Sequence, residues 1–162
     1  MYKNIYVIGV FDLFHRGHLE LLRKAKELGE NLIVAVNSDA KVGSYKRKPV
    51  VPEYDRLEIV KACRYVNEAF IIDGYAQQEY IEKYNIDAII HGDDWGRERY
   101  LHQICVTEAY LKERKTELIL LPYTSGVSTS QILNRIRALE REEVLKQIVE
   151  LQKTEENFNA VK

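Results

Sequence analysis

Short apolar runs alternate along the chain with stretches in which apolar residues recur every three or four positions. The apolar runs have the length of buried strands and predict strands at 5–8, 31–36, 66–72, 87–90 and 118–121. The helical spacing between them predicts helices at 17–29, 52–64, 76–84, 97–115 and from 128 onward. This alternation is typical of an α/β fold with right-handed crossovers. We therefore predict a doubly wound, five-stranded parallel sheet with helices on both faces and a C-terminal helical extension.

The predicted strands all fall before residue 140, and no repeat or low-complexity linker interrupts them. We therefore predict one domain, with its core in residues 1–140 and its C-terminal helix and tail in residues 141–162. Ligands of such sheets bind beyond the carboxyl ends of the strands, so the segments that follow each strand are the candidates for function.

The segment after the first strand, residues 9–18, combines a tight turn with the start of a helix. A helix N-terminus attracts anions, and Gly17 allows a ligand to approach the backbone. His15 and His18 add two imidazoles, and Asp12 lies in the same turn. Zinc is the weaker interpretation of the two histidines, because three or four ligands are needed and the other candidate ligands lie far away in sequence. The turn therefore predicts a phosphate site.

Composition narrows the function further. The 162 residues have a net charge of −1, which gives no case for broad nucleic-acid or membrane binding. Cys63 and Cys105 are too few to indicate a disulfide framework, and no run is long enough for a signal peptide or a membrane span. We expect a soluble, cytoplasmic protein.

The most basic stretch follows the second strand, at residues 41–52, and leads to Arg56 and Arg64. A run of charge is usually only a solvated surface, but this one leaves the sheet beside the predicted phosphate site. Lysines and arginines from such a loop could close over a triphosphate. Lys46 is the best lysine candidate, with Arg47 and Lys48 as alternatives. Pro52 at a helix start would fix Arg56 one turn later.

Two further segments follow the fourth and fifth strands. His91, Gly92, Asp93, Asp94 and Trp95 form the first, and the second runs from Gly126 to Ser130. Ser128 and Gln131 have the spacing of a capping box, which would start the last helix and present donors to phosphates.

Together these segments resemble the cytidylyltransferase-like nucleotidyltransferases. The turn resembles their His-x-Gly-His signature, the segment at 91–95 resembles that of glycerol-phosphate cytidylyltransferases, and residues 126–130 resemble the second nucleotide signature. The resemblance covers roughly residues 1–140 and implies a Rossmann-like fold and transfer of CMP from CTP to a small phosphate monoester, such as a polyol or amino-alcohol phosphate. It implies catalytic roles for His15, His18, Lys46 and Arg56, and acceptor binding by Arg64, Asp94 and Trp95. It implies nucleotide contacts from Gly9, Val10, Phe11, Asp12, Gly17, His91, Asp93, Tyr123, Thr124, Gly126, Ser128 and Thr129.

Three points stay open at this stage. Tyr123 stands where the family usually has arginine and Val10 where threonine is common, which keeps ATP as an alternative donor, as in heptose-phosphate or archaeal flavin adenylyltransferases. The loss of that arginine also leaves open a catalytically silent nucleotide-binding regulator. Mg²⁺ is expected with the triphosphate, with Asp12 as a possible ligand.

The last predicted helix continues beyond the final signature. Its second half carries a set of apolar residues at helical spacing: Val144, Leu145, Ile148, Val149 and Leu151. Such a face needs a surface to cover it, and dimers are the commonest closed assembly. We therefore predict a homodimer with this segment at or near the interface.

Overall fold

The computed structural model describes the backbone of residues 1–160 and the side chains of residues 1–153. It contains one five-stranded sheet with the strand order β3-β2-β1-β4-β5, in which every pairing is parallel. The strands are β1 (Tyr2–Gly9), β2 (Gly29–Asn37), β3 (Glu68–Ile72), β4 (Ala88–Gly92) and β5 (Glu117–Leu121). The helices are α1 (Arg16–Leu28), α2 (Asp39–Gly43), α3 (Glu53–Lys61), α4 (Gln78–Lys83), α5 (Arg97–Gln103), α6 (Glu108–Arg114) and α7 (Thr129–Ala160).

Each face of the sheet is covered by its own set of helices. Alternate residues of β1 point to opposite faces, so Ile5 and Val7 join the apolar core formed with α1 and α3. Tyr6 and Ile8 join the second core, to which α4, α5 and α6 contribute. The predicted doubly wound parallel sheet is confirmed. Because all strands are parallel, their carboxyl ends lie at one edge, and this edge carries the candidate site.

The predicted helix over 97–115 is wrong, because α5 and α6 are separated by a turn. Cys105 adopts a left-handed conformation with φ of 52°, which ends the first helix. The Thr107 hydroxyl then accepts a hydrogen bond from the Tyr110 amide at 3.1 Å and caps the second. Ile104 and Val106 are both buried, so the turn places two apolar side chains in the core that a straight helix would send to different faces.

The chain divides into two compact units, Met1–Val127 and a second unit that starts at Ser128. The predicted division at residue 140 is not tested by this and stays a prediction. In the second unit, Ser128 caps α7 by accepting a hydrogen bond from the Gln131 amide at 3.1 Å. The apolar residues predicted to need a covering surface are exposed. The last two residues of the predicted segment 141–162 lie outside the described residues.

Candidate active site

The turn between β1 and α1 has a strained backbone. Phe11 and Leu13 both adopt left-handed conformations, with φ of 57° and 47°. Residues other than glycine rarely do so, and such strain is typical of functional sites. The buried Phe11 ring anchors the turn by lying against the edge of the His18 ring, with ring centres 5.3 Å apart. A side chain at Gly9 would collide with the same ring at 2.9 Å, so Gly9 makes room for it.

His15 and His18 form the N-terminal cap of α1 with their own side chains. The Gly17 amide donates to His15 Nδ1 at 3.1 Å, and the His15 amide donates to His18 Nδ1 at 3.4 Å. An imidazole nitrogen that accepts a hydrogen bond carries no proton, so both neutral rings carry theirs on Nε2. The rings are stacked with centres 3.8 Å apart. The cap thus fixes the tautomer of both histidines, and the Nε2–H group of each ring takes no part in it.

Both imidazoles are held in the neutral form. Burial lowers the pKa of His15. Burial also lowers the pKa of His18 to about 3, with His15 and Lys46 adding to the shift and Asp12 opposing it. Neutral rings hydrogen-bond to phosphate oxygens as donors and bring no full positive charge. The positive charge of the site must come from other residues.

Asp12 holds the basic loop against the turn. Its carboxylate accepts hydrogen bonds from the amides of Val50 and Val51, both at 3.0 Å, and from Arg47 Nη2 at 3.1 Å. Burial alone would raise the pKa of Asp12, but the hydrogen bonds from Val51, Val50 and Arg47 outweigh it and lower the pKa. Both carboxylate oxygens accept hydrogen bonds from the loop, and the predicted role of Asp12 as a Mg²⁺ ligand stays a prediction.

Lys46 provides positive charge at the turn. Burial lowers the pKa of its ammonium group, with Arg47 adding to the effect and Asp12 and Asp94 opposing it. Its charge also acts on His18. The structure thus brings together the predicted lysine, the turn and the segment after β4.

Arg56 lies inside the protein, with 1% of its surface exposed. Its guanidinium donates to the carbonyls of Val10, Asn37 and Val51 and to the Asp39 carboxylate. A guanidinium has five N–H donors, and these bonds engage four of them. Arg56 therefore joins the turn at residues 9–18, β2 and the basic loop, and its predicted phosphate contact stays a prediction.

The segment after β4 lies beside the turn because β4 pairs with β1. The His91 ring packs on the Tyr100 ring with centres 3.9 Å apart, and on the edge of the Trp95 ring at 6.5 Å. Burial lowers the pKa of His91, while the Gly92 carbonyl and Asp94 oppose the shift. Arg99 lies over the Trp95 ring, 4.6 Å from its centre. These aromatic contacts keep Trp95 at the carboxyl edge, as its predicted acceptor role requires.

The segment after β5 is tied to the one after β4. The Tyr123 amide donates to Asp93 at 3.0 Å, and its hydroxyl donates to the Val127 carbonyl at 3.3 Å. Burial raises the pKa of Tyr123, and Asp94 adds to the effect. Gly126 has φ of 79°, a conformation that favours glycine. The predicted contacts of Thr124, and of Ser128 and Thr129 in the second unit, stay predictions.

Arg64 is the predicted site residue that the structure does not bring to this edge. It follows α3, which starts beside Asp12 at the carboxyl edge and runs back across the sheet. Asn67, three residues later, pairs with the Leu32 carbonyl near the start of β2. Within one chain, Arg64 therefore lies toward the amino edge of the sheet, and its predicted acceptor contact stays a prediction.

Sequence reasoning missed the hydrogen bonds between Asp12 and the basic loop, and it missed the buried position of Tyr100. The first would have required the fold of the basic loop, and the second the contact with His91. Among the described side chains, no three histidine, cysteine, aspartate or glutamate residues group together to hold a metal ion. No helix of the described chain has the length and apolar character needed to cross a bilayer.

Comparison with known proteins agrees with this geometry. The family model of cytidylyltransferase-like proteins matches residues 6–135. A glycerol-3-phosphate cytidylyltransferase from Bacillus subtilis (strain 168) is 35% identical over 140 residues, which is 85% of this chain and 99% of that protein. An ethanolamine-phosphate cytidylyltransferase from Arabidopsis thaliana is 35% identical over 86% of this chain, and the match spans 33% of its length. An FAD synthase from Pyrococcus abyssi (strain GE5 / Orsay) is 39% identical over 82% of this chain and 91% of its own. The chain therefore belongs to the cytidylyltransferase-like family.

Proposed function

We propose that this chain transfers CMP from CTP to a small phosphate monoester and releases pyrophosphate. The observation that carries the proposal is the pair of neutral imidazoles that cap α1 through Nδ1 and carry their protons on Nε2. Two of the relatives described above carry cytidylyltransferase names, which supports the reaction class and CTP as donor. A polyol phosphate such as glycerol phosphate, or an amino-alcohol phosphate, is the proposed acceptor class.

The reaction requires positioning more than acid–base chemistry. An oxygen of the acceptor phosphate attacks the α-phosphorus of CTP, and the bond from that phosphorus to the bridging oxygen breaks as pyrophosphate leaves. In this proposal, the Nε2 donors of His15 and His18 stabilise charge on the α-phosphate and the bridging oxygen. Lys46 neutralises charge on the leaving group, and the contacts of Asp12 hold the basic loop closed over it.

The test is a pyrophosphate-release assay with CTP, ATP and a panel of phosphate monoesters. His15→Ala and His18→Ala should each lower kcat by roughly 10²–10³, the loss typical of one preorganised donor, while CTP affinity changes far less. His102→Ala, at an exposed histidine outside the site, is the matched control. Near-normal turnover in either site variant would contradict the roles proposed for the imidazoles.

The choice of base has its own test. We propose CTP as the nucleotide donor. ATP is the alternative donor, and it is supported by the similarity to an FAD synthase and by the tyrosine at position 123. Calorimetry should show CTP binding at least roughly tenfold tighter than ATP, a difference of about 1.4 kcal/mol. Equal affinities or a preference for ATP would assign the chain to the adenylyltransferases. Tight nucleotide binding without turnover on a broad panel would favour a regulator.

Three further features belong to the proposal. We infer that Mg²⁺ arrives on the oxygens of the triphosphate, since the Asp12 oxygens are engaged by the loop. The substrates, and the free thiols of both cysteines, are consistent with the cytoplasm.

A homodimer is the third feature. The support is the exposed apolar side chains of α7, among them Leu145 at 61% and Leu151 at 66%. Light scattering at micromolar concentration should give twice the chain mass, and truncation after Glu140 should reduce it to the monomer. A dimer that survives the truncation would place the interface elsewhere.

A further inference from the structure

A nearly buried lysine lies at the carboxyl edge without a described ion-pair partner. Lys41, in α2, is 6% exposed. Its ammonium donates to the Gly74 carbonyl at 2.7 Å and lies 5.2 Å from the centre of the Tyr75 ring. An ammonium has three donors, and a lysine is seldom buried without an anion beside it. Asp73 and the Cys105 thiol act on its charge only from a distance, and burial lowers its pKa to about 8.

A second polar group in the same place also lacks a partner. Asn37, the last residue of β2, is 5% exposed, and its Oδ1 accepts no hydrogen bond from any described residue. Its amide interacts with the Tyr45 hydroxyl, and the Tyr45 ring packs on the edge of the Tyr75 ring at 6.4 Å. Asn37, Lys41, Tyr45, Gly74 and Tyr75 therefore form one cluster of contacting groups, which we term the Lys41 cluster. Buried polar groups without partners are costly, and one explanation is a ligand that completes them.

The Lys41 cluster lies next to the turn at residues 9–18. β2, which ends at Asn37, pairs with β1, which leads into the turn. The Arg56 guanidinium donates to the carbonyls of both Asn37 and Val10, and so joins the two segments directly. Lys46 follows Lys41 by five residues and acts on His18. One small molecule could therefore place its phosphate at the turn and its other end against the Lys41 cluster.

The Lys41 ammonium, which has no described ion-pair partner, and the Asn37 Oδ1 atom, which accepts no hydrogen bond, specify complementary chemistry. The ammonium of Lys41 calls for an anion, and Asn37 Oδ1 calls for a hydrogen-bond donor next to it. We propose that the acceptor is a phosphate monoester that carries a carboxylate beside an amine or hydroxyl group, with the carboxylate bound by Lys41 and the donor by Asn37. The inference rests on the proposed transfer to a small phosphate monoester, and it specifies an acceptor that carries a carboxylate in addition to the hydroxyl or amine of the polyol and amino-alcohol phosphates named above.

The test uses two acceptors that differ only in the carboxylate, O-phosphoserine and phosphoethanolamine. The wild-type chain should favour phosphoserine in kcat/KM by at least about tenfold, which corresponds to about 1.4 kcal/mol. Lys41→Met keeps the apolar stem and removes the charge, so it should bring the ratio of the two kcat/KM values to about one. Lys41→Arg keeps the positive charge and should retain part of the preference for phosphoserine over phosphoethanolamine. Lys83→Met is the matched control, because Lys83 also lies over a tyrosine ring, 5.0 Å from the centre of Tyr84, but is exposed.

Direct binding separates this inference from the proposed function. Calorimetry with the non-reactive analogue α,β-methylene-CTP should show phosphoserine binding more tightly than phosphoethanolamine to the wild type and the Lys83 variant, and equally to Lys41→Met. A preference in binding that depends on Lys41, with no transfer in any assay, would support the inference and contradict the proposed function. No preference in the wild type, or one that survives Lys41→Met, would overturn the inference. Weaker binding of the CTP analogue to Lys41→Met with an unchanged acceptor ratio would also overturn it, because Lys41 would then serve the nucleotide.

Discussion

The neutral state of His18 makes stability depend on pH in a defined way. Burial lowers the pKa of His18 to about 3 in the folded chain, whereas an imidazole in an unfolded chain has a pKa of roughly 6.5. Between these values the unfolded chain binds a proton that the folded chain does not. The stability that depends on neutral His18 is therefore complete above the unfolded pKa and is lost as the pH falls from about 6.5 toward 3.

The size of the effect follows from the two pKa values. pH 5 lies roughly 1.5 units below the pKa of the unfolded imidazole, so the unfolded chain is protonated there, while folded His18 is still neutral. At about 1.4 kcal/mol per unit, His18 should account for a loss of about 2 kcal/mol in unfolding free energy between pH 8 and pH 5. His18→Gln removes the titrating ring. Between pH 8 and pH 5, its unfolding free energy should therefore fall by about 2 kcal/mol less than that of the wild type.

The assay is denaturant unfolding at both pH values for the wild type, His18→Gln and a control, His102→Gln. Other titrating groups, such as Asp12, remain in all three proteins and cancel in the comparison. His102 is exposed, so its ring meets water in both states and the control should follow the wild type. Equal losses in the wild type and His18→Gln, within about 0.5 kcal/mol, would show that His18 takes up a proton in the folded chain and would refute the neutral-imidazole mechanism.

Three further changes test the arrangement of the site. Gly17→Ala places a methyl group 3.0 Å from two atoms of the His15 ring, so kcat should fall by at least about tenfold while the unfolding free energy stays at the wild-type value. Unchanged kcat would contradict the cap geometry. Asp12→Asn removes the charge that holds the basic loop, so the KM for CTP should rise and proteolysis in the loop should become faster. Equal proteolysis rates in the variant and the wild type would show that the Asp12 charge is not needed to hold the loop. Tyr123→Arg should strengthen CTP binding roughly tenfold if the family's triphosphate contact can form at this position, as calorimetry can measure.

The sequence predicts the fold well, because the signals that determine it are local. Each buried strand is a run of apolar residues, and each helix between strands has the spacing of one apolar face. The wrong prediction of one helix over 97–115 has a local cause as well. Cys105 adopts a left-handed conformation that its residue type does not indicate. The turn at residues 9–18 was found because its glycines and histidines have few other uses in that pattern.

Tertiary structure decides what the site residues do. The sequence places Asp12, Lys46, Arg56 and Arg64 near a phosphate by order along the chain alone. In the fold, α3 buries Arg56 at its start and carries Arg64 away to the amino edge. The loop also directs its amides to Asp12, which engages a carboxylate that had been a candidate metal ligand.

The same distinction applies to Lys41. In the sequence it is one cation among several in a basic stretch, and nothing distinguishes it from its neighbours. Its burial depends on the pairing of β2 with β3, which brings Gly74 and Tyr75 to its ammonium from more than thirty residues away. Periodicity and short motifs determine which elements form, because these depend on neighbours in the chain. Burial, protonation and hydrogen-bond partners depend on neighbours in space, so they were determined only when the sheet assembled.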